Sequence, residues 1–258
     1  MSKFKAKEII KIMEEQIAPP YLAEDWDSPG LKTGFADCII DKVLVCLDVT
    51  TEVVEEAVEK GCNMIISHHP FIFKSISDMI EDNVPAVCAA VRAGITVFSA
   101  HTNLDYAPDG INDSLAAAIG LKDIVKDLDG KHTYGNTNIK MTVKDLVEDI
   151  KIRLGAPAVK VVLPVGRSME EEVSKVGVSC GGFDSKTYWF DKCGIEVLVT
   201  GELKHFDCID LSRQSVITIG AGHYFTEYPG VKKLAEMLNE RGIICEVSEK
   251  DRNLYSVV

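Results

Sequence analysis

Short apolar runs of strand length alternate along the chain with stretches whose apolar residues return every three or four positions. Phe4, Ile9, Ile10, Met13 and Ile17 lie near helical spacing and predict a helix over 4–17, ended by Pro19-Pro20. Residues 21–35 are rich in turn formers and read as a loop. The run 43–47 predicts a strand. Thr50 or Thr51 then caps a helix with Val53, Val54, Ala57 and Val58 on its apolar face, and Gly61 stops it. A strand over 64–66 runs straight into Ser67-His68-His69-Pro70. A helix over 84–93 closes at Gly94, and a strand over 95–98 leads to His101-Thr102-Asn103-Leu104-Asp105.

Residues 120–172 read differently. The stretch 121–135 is polar and turn-rich, 143–154 is helical, and 159–165 has the pattern of an edge strand. The first alternation then returns. A strand over 176–180 is followed by Gly181-Gly182, a helix over 184–193 by Gly194, and a strand over 195–199 by Thr200-Gly201-Glu202. A helix over 203–213 and a strand over 216–219 lead to Gly222-His223-Tyr224-Phe225-Thr226-Glu227. A helix over 231–241 and a strand over 243–247 complete the pattern. The repeated alternation predicts an α/β fold of two similar halves, about 1–125 and 126–258, with mostly parallel strands flanked by helices. No low-complexity linker divides them, so one unit over 1–258 is expected. Ligands of such sheets sit at the carboxyl ends of strands. Every polar motif above falls at such an end, which puts the expected site there, between the halves.

Charge and cysteine content narrow the function classes. Forty acidic against 28 basic side chains leave a formal charge of −12 over 258 residues. That opposes binding to a phosphate backbone, which needs a positive footprint, and opposes adsorption to anionic membranes. No stretch approaches the roughly 20 apolar residues of a membrane span. The first 17 residues alternate charge with apolar side chains, unlike a signal peptide. The eight cysteines are scattered, with no Cys-x-x-Cys pair, as expected of reduced, buried thiols. These features predict a cytoplasmic protein.

Four of the six histidines, His68, His69, His101 and His223, lie at predicted strand ends. Adjacent strand residues face opposite ways, so His68 and His69 cannot both enter one core. His101 and Asp105 are four apart, as are His223 and Glu227, which brings each pair onto one face if the segment turns helically. Imidazole with carboxylate is the ligand set of zinc, iron, manganese and nickel sites rather than of thiolate-rich structural zinc. A carboxylate such as Asp105 or Glu227 can bridge two ions. His132 lies in a polar stretch and reads as solvated, and His205 follows Gly201-Glu202 toward the same strand ends. Gly181-Gly182 reads either as a tight turn or as a place where backbone N–H groups meet an anion. Trp26-Asp27 reads either as a packing residue and turn former or as part of a site rim. The phosphate-binding G-x-G-x-x-G and Walker loops are missing.

In order, Trp26-Asp27-Ser28-Pro29-Gly30-Leu31, Ser67-His68-His69-Pro70-Phe71-Ile72-Phe73, His101-Thr102-Asn103-Leu104-Asp105, Thr200-Gly201-Glu202 and Gly222-His223-Tyr224-Phe225-Thr226-Glu227 span nearly the whole chain. Together they resemble the Nif-three-like family, often labelled GTP cyclohydrolase type 2 homologues. The resemblance implies a di-metal centre with His68, His69, Asp105, His223 and Glu227 as ligands, His101 and Thr102 lining it, and a toroidal homohexamer. The chain is too short for the large domain that some relatives insert between the halves. Ser28 stands where the family often has asparagine, and Gly181-Gly182 where it often has Gly-Ser-Gly. The expected function is metal-dependent hydrolysis of a small molecule by two divalent ions. His101 and His205 would carry protons, and Thr102, Gly181, Gly182 and Glu202 would contact substrate. The alternative is a non-catalytic, ring-shaped metal-binding module for regulation or interaction.

Overall fold

A computed structural model describes residues 3–183 and 189–258. Strand β1 (Phe4–Lys5) leads into helix α1 (Ala6–Ile12), which continues as a π-helical turn over Met13–Ile17. Strands β2 (Gly30–Thr33), β3 (Ile39–Ile40) and β4 (Val43–Cys46) precede helix α2 (Thr51–Glu59) and strand β5 (Met64–Ser67). Helix α3 (Pro85–Ala93), strand β6 (Thr96–Ser99) and helices α4 (Thr102–Tyr106) and α5 (Ile111–Ala118) follow. Next come strands β7 (Lys122–Lys126) and β8 (Thr133–Thr142), helix α6 (Val143–Leu154), and strands β9 (Lys160–Val162) and β10 (Glu172–Gly182). Helix α7 (Trp189–Cys193), strand β11 (Val197–Glu202), helix α8 (His205–Leu211), strand β12 (Ile217–Gly220), helix α9 (His223–Glu240) and strand β13 (Cys245–Val247) end the order. The helix predicted over 184–193 is seen as α7; residues 184–188 lie outside the described residues.

Two compact units form, Met1–Gly110 with Val231–Arg252, and Ile111–Gly230 with Asn253–Val258. The first holds a five-stranded sheet in the order β13-β4-β5-β6-β2. Its four strands β13, β4, β5 and β6 are parallel, and β2 runs antiparallel along β6. Every residue of β4, β5 and β6 is buried, the near-continuous apolar pattern of a sheet covered on both faces. One core cluster joins Leu44, Ile65 and Val97 of the sheet to Val53 and Ala57 of α2 and Ala90 of α3. Each large side chain so buried contributes about 1.5–3 kcal/mol. Thr50 caps α2 as expected, its hydroxyl accepting from the Val53 amide. Gly94 closes α3 in the left-handed conformation, at φ 68°.

The α2 face departs from expectation at one position. Val58 is 55 % exposed, and Glu56 is buried instead, at 3 %. Its carboxylate pairs with Lys60 at 2.8 Å and accepts from the Ser248 hydroxyl and from the Glu249 and Lys250 amides. Burial alone would push this carboxyl up; its donors outweigh that and hold it at about 2, against an ordinary 4.5. A depressed folded-state value stabilises fully above pH 4.5 and is lost as pH falls toward 2. Glu56→Gln is therefore expected to cost about 2–3 kcal/mol at pH 7. Urea unfolding of parent and variant should show that difference closing as pH is lowered through the window from 4.5 toward about 2.

The second unit holds a six-stranded sheet in the order β7-β8-β10-β11-β12-β9. Strands β10, β11 and β12 are parallel, while β8, β7 and β9 add antiparallel margins. β9 is the edge strand that the pattern predicts. The stretch 121–135, read from the sequence only as polar and turn-rich, contains β7, a turn and the start of β8. β7 is nowhere fully buried, so its side chains carry no apolar run by which to recognise a strand. Phe183, Trp189, Phe190, Leu198 and Leu211 lie in one apolar cluster of this unit. All eight cysteines are free, as predicted; five are buried, whereas Cys38, Cys193 and Cys208 are only half-buried, and burial pushes the Cys62 thiol up to about 11 and that of Cys245 up to about 12. Among the described residues no helix is long and apolar enough to cross a membrane.

Candidate metal centre

In the first unit the predicted residues gather at the carboxyl ends of β5 and β6. Backbone pairing continues one step past β5, with the His68 amide donating to the Cys46 carbonyl and the His69 amide to that of Leu47, both at 3.0 Å. The turn that follows is pinned by Ser99, whose Oγ accepts from the Phe71 amide at 3.1 Å and lies 2.9 Å from the Ser67 hydroxyl. His68 is buried, at 1 % exposure, and His69 is half-buried. Their rings nonetheless lie only 5.1 Å apart, and His101 lies 5.3 Å from His68 and 5.8 Å from His69. One nitrogen from each of the three falls within 4.8 Å of the others.

Each of these imidazoles has its Nδ1 against an acceptor. His68 Nδ1 is 3.0 Å from the Ala100 carbonyl, His69 Nδ1 2.8 Å from Asp48 Oδ1, and His101 Nδ1 2.8 Å from Asp27 Oδ1. A carbonyl or carboxylate there places the proton on Nδ1, so the lone pair of each neutral ring sits on Nε2. That is the arrangement in which histidines bind metal, the second nitrogen donating to a fixed acceptor. His68 Nε2 lies 3.5 Å from Asp105 Oδ1. Asp105 reaches it because 101–105 does turn helically, with the Asp105 amide donating to the His101 carbonyl at 3.0 Å.

The positioning carboxylates are anchored in turn. Asp27 has a side chain 0 % exposed and accepts from His101, from the Thr102 amide at 3.0 Å and from the Thr102 hydroxyl at 2.5 Å. Burial would push its carboxyl up, but the His101 and Thr102 bonds outweigh that and hold it well below the usual carboxylate range. Trp26-Asp27 is thus divided between the two roles weighed for it: Asp27 orients His101, and Trp26 stays 62 % exposed. Asp48, which orients His69, lies directly after β4. Asp251 accepts from the Leu47 amide at 2.5 Å and the Asp48 amide at 3.5 Å, and burial pushes its carboxyl up to about 6. Asp48 was legible in principle, since it follows a strand as the other motifs do. Asp251 had no local signal.

The second unit holds the other predicted residues. His223 opens α9, and its Nε2 lies 3.1 Å from Glu227 Oε2 one turn on. Its Nδ1 lies 3.5 Å from Oε1 of Glu202, the exposed last residue of β11. Gly181 sits at the end of β10 with φ 63°, and a Cβ there would collide with Glu227 Oε1. The Gly181 amide donates to Thr226 Oγ1 at 3.2 Å, so this N–H serves the α9 junction. Gly182 has open space where a side chain would stand. His205 is exposed at the start of α8, in edge contact with Phe206. His132 is not solvated as expected: it is half-buried, stacked on Trp189 at 4.5 Å, and bonded through Nδ1 to Asp127 at 3.0 Å.

Gly181→Ala is expected to cost upward of about 1 kcal/mol, because alanine is strained at positive φ and the Glu227 carboxylate must move aside. Thermal melts with and without added zinc should show a lower midpoint and a smaller zinc-dependent rise.

Histidine and carboxylate donors, the imidazoles held by their Nδ1 atoms, suit a divalent ion of the zinc, iron, manganese or nickel group. A GTP cyclohydrolase 1 type 2 homolog of Clostridium acetobutylicum is 30 % identical over 97 % of both chains. A NIF3 homolog of Schizosaccharomyces pombe is 29 % identical over 96 % of this chain and 95 % of its own. Among solved structures, Staphylococcus aureus protein SA1388 matches at 27 % identity and TM-score 0.91 over all of both chains. Reduced HcgD from Methanocaldococcus jannaschii matches at 27 % and 0.80 over 97 % of this chain and 99 % of its own. A single family model spans residues 4–253. The strand-end histidine motifs, the fold and this full-length match agree: the chain belongs to the Duf34/NIF3 (NGG1p interacting factor 3) family.

Proposed function

We propose that His68, His69, Asp105, His223 and Glu227 together hold two divalent metal ions, and that the protein uses them to hydrolyse a small molecule. The observation that carries this reading is the anchoring of His68, His69 and His101 by their Nδ1 atoms, which leaves Nε2 of each for a metal, in a cluster where one nitrogen from each ring lies within 4.8 Å of the others. The His223–Glu227 pair supplies the same donor types on one helix turn. Two such ions supply Lewis acidity at a substrate oxygen and an acidified water.

The chain's own groups do the rest. Asp48 and the Ala100 carbonyl fix the tautomers of His69 and His68. His101, whose Nδ1 proton is held by Asp27, accepts the proton released in the hydrolytic step on Nε2. His205 is a second proton carrier, from the exposed start of α8. Thr102, Gly182 and Glu202 contact the substrate. The same reading assigns a homohexameric ring, and sedimentation of a single 28.3 kDa chain would remove it.

The test is turnover by metal-loaded protein across GTP, other nucleotides, esters and amides. GTP belongs in the panel because relatives carry the cyclohydrolase name. The expected result is one class of substrate hydrolysed, with activity abolished in Asp105→Asn. Bound metal with no turnover across the panel would instead favour the non-catalytic module.

A further inference from the structure

Two segments that build the histidine cluster each end in an aromatic ring left in water. Trp26 precedes Asp27, which is locked onto His101 and Thr102. Phe73 follows His68-His69-Pro70 on the turn pinned at Ser99. That turn sends Phe71 inward against the sheet core and Phe73 outward. Trp26 is 62 % exposed and Phe73 47 % exposed. Isolated exposed apolar residues are ordinary. These two are not isolated: their rings meet at 6.1 Å and 63°, and the Trp26 ring lies 6.0 Å from that of His101. An indole kept mostly in water beside a histidine cluster forgoes the burial that would stabilise it, while its backbone is held firm by its neighbour.

Resting on the metal-dependent reading above, we propose that Trp26 and Phe73 form a stacking platform, and that the substrate carries a planar aromatic ring which lies on it. Aromatic pairs stack with centroids about 4.5–7 Å apart. A ring seated on Trp26 therefore brings its polar edge within reach of His101 and the metal-ligating imidazoles. Stacking tolerates any planar ring, so the platform selects ring-bearing compounds as a class and leaves the choice among them to polar contacts.

Equilibrium dialysis of metal-loaded protein against adenosine, guanosine, nicotinamide and ribose tests this. The expected result is saturable retention of at least one ring-bearing probe and none of ribose. Trp26→Ala should weaken that retention roughly 5- to 150-fold, and Trp26→Phe should restore most of it, with metal content equal in all three proteins. Equal retention in parent and Trp26→Ala, or no retention of any ring-bearing probe, overturns the platform. So does a Trp26→Ala variant that changes particle mass but not probe binding, which would make the pair a contact between copies. Parent protein that takes up no metal sinks the metal-centre reading instead, and the Trp26 comparison is then read on metal-free protein.

Discussion

Protein purified without chelator or affinity-tag nickel is expected to carry about two divalent ions per chain, and a His68→Ala, Glu227→Ala double variant fewer than one. His68 is the most enclosed imidazole of the set, at 1 % exposure, with Nδ1 committed to the Ala100 carbonyl and Nε2 toward Asp105. Removing it is expected to delete the most enclosed of the proposed ligands. Glu227 is 3 % exposed and stands on the His223 turn of α9. The single variants matter as much as the double. Asp105→Asn touches only the first unit's donors, and Glu227→Gln only the second's. Metal lost in both means that both units supply ligands; metal lost in one assigns the site to that unit. Parent protein that stays empty after addition of zinc, manganese or iron would give the cluster another role, and partner capture would replace assays. Under that outcome, Glu227→Ala should keep its partners.

Asp27→Ala is expected to destabilise the protein by about 3–5 kcal/mol, the cost of removing one side of an enclosed, multiply bonded charge. It would orphan the Thr102 amide and hydroxyl and release the His101 ring at once. Asp27→Asn separates structure from chemistry. An asparagine oxygen can still accept from Thr102, but its amide donors face His101 Nδ1 and drive the imidazole proton to Nε2. Metal-loaded Asp27→Asn should therefore fold with a smaller loss and yet lose activity, and the His101 nitrogen shifts in NMR should report the exchanged tautomer. The pH dependence has a definite sign. A carboxyl held below its ordinary value of 3.8 contributes fully above that pH and loses its contribution as pH falls. The stability gap between parent and Asp27→Asn should shrink below about pH 4. A gap that stays constant from pH 7 to pH 3 would mean that Asp27 acts by shape alone.

Much of this was legible from the order of residues. Parallel strands buried on both faces must be continuous apolar runs, so β4, β5, β6, β11 and β12 announced themselves, and the polar motifs at their ends marked where a ligand sits. Four-residue spacing forecast the helical turns that carry Asp105 and Glu227. What failed was whatever lacked periodicity. β7 sits at a sheet edge with no fully buried side chain, and it and the start of β8 carry no apolar alternation that would mark a strand. Glu56, which the apolar face predicted for α2 left out, is buried because its carboxylate's partners lie some 190 residues away at Ser248, Glu249 and Lys250. His132 read as solvated because nothing nearby in sequence reveals Trp189 stacked on it.

The sequence by itself determined the α/β class, the strand ends that carry chemistry, the free cysteines and the donor types. Those follow from local rules, namely the periods of strand and helix and the side-chain chemistry of histidine and carboxylate. Only the tertiary structure decided which acceptor each imidazole took. The pairing of β13 with β4 returns residues 231–252 to the first unit, and brings Asp251 to the Leu47 and Asp48 amides. Asp48 can then hold His69, and the loop carrying Asp27 can hold His101. Hydrogen-bond directions of this kind are set by atoms 21 to 204 positions apart in the chain, a separation over which no periodic pattern carries information.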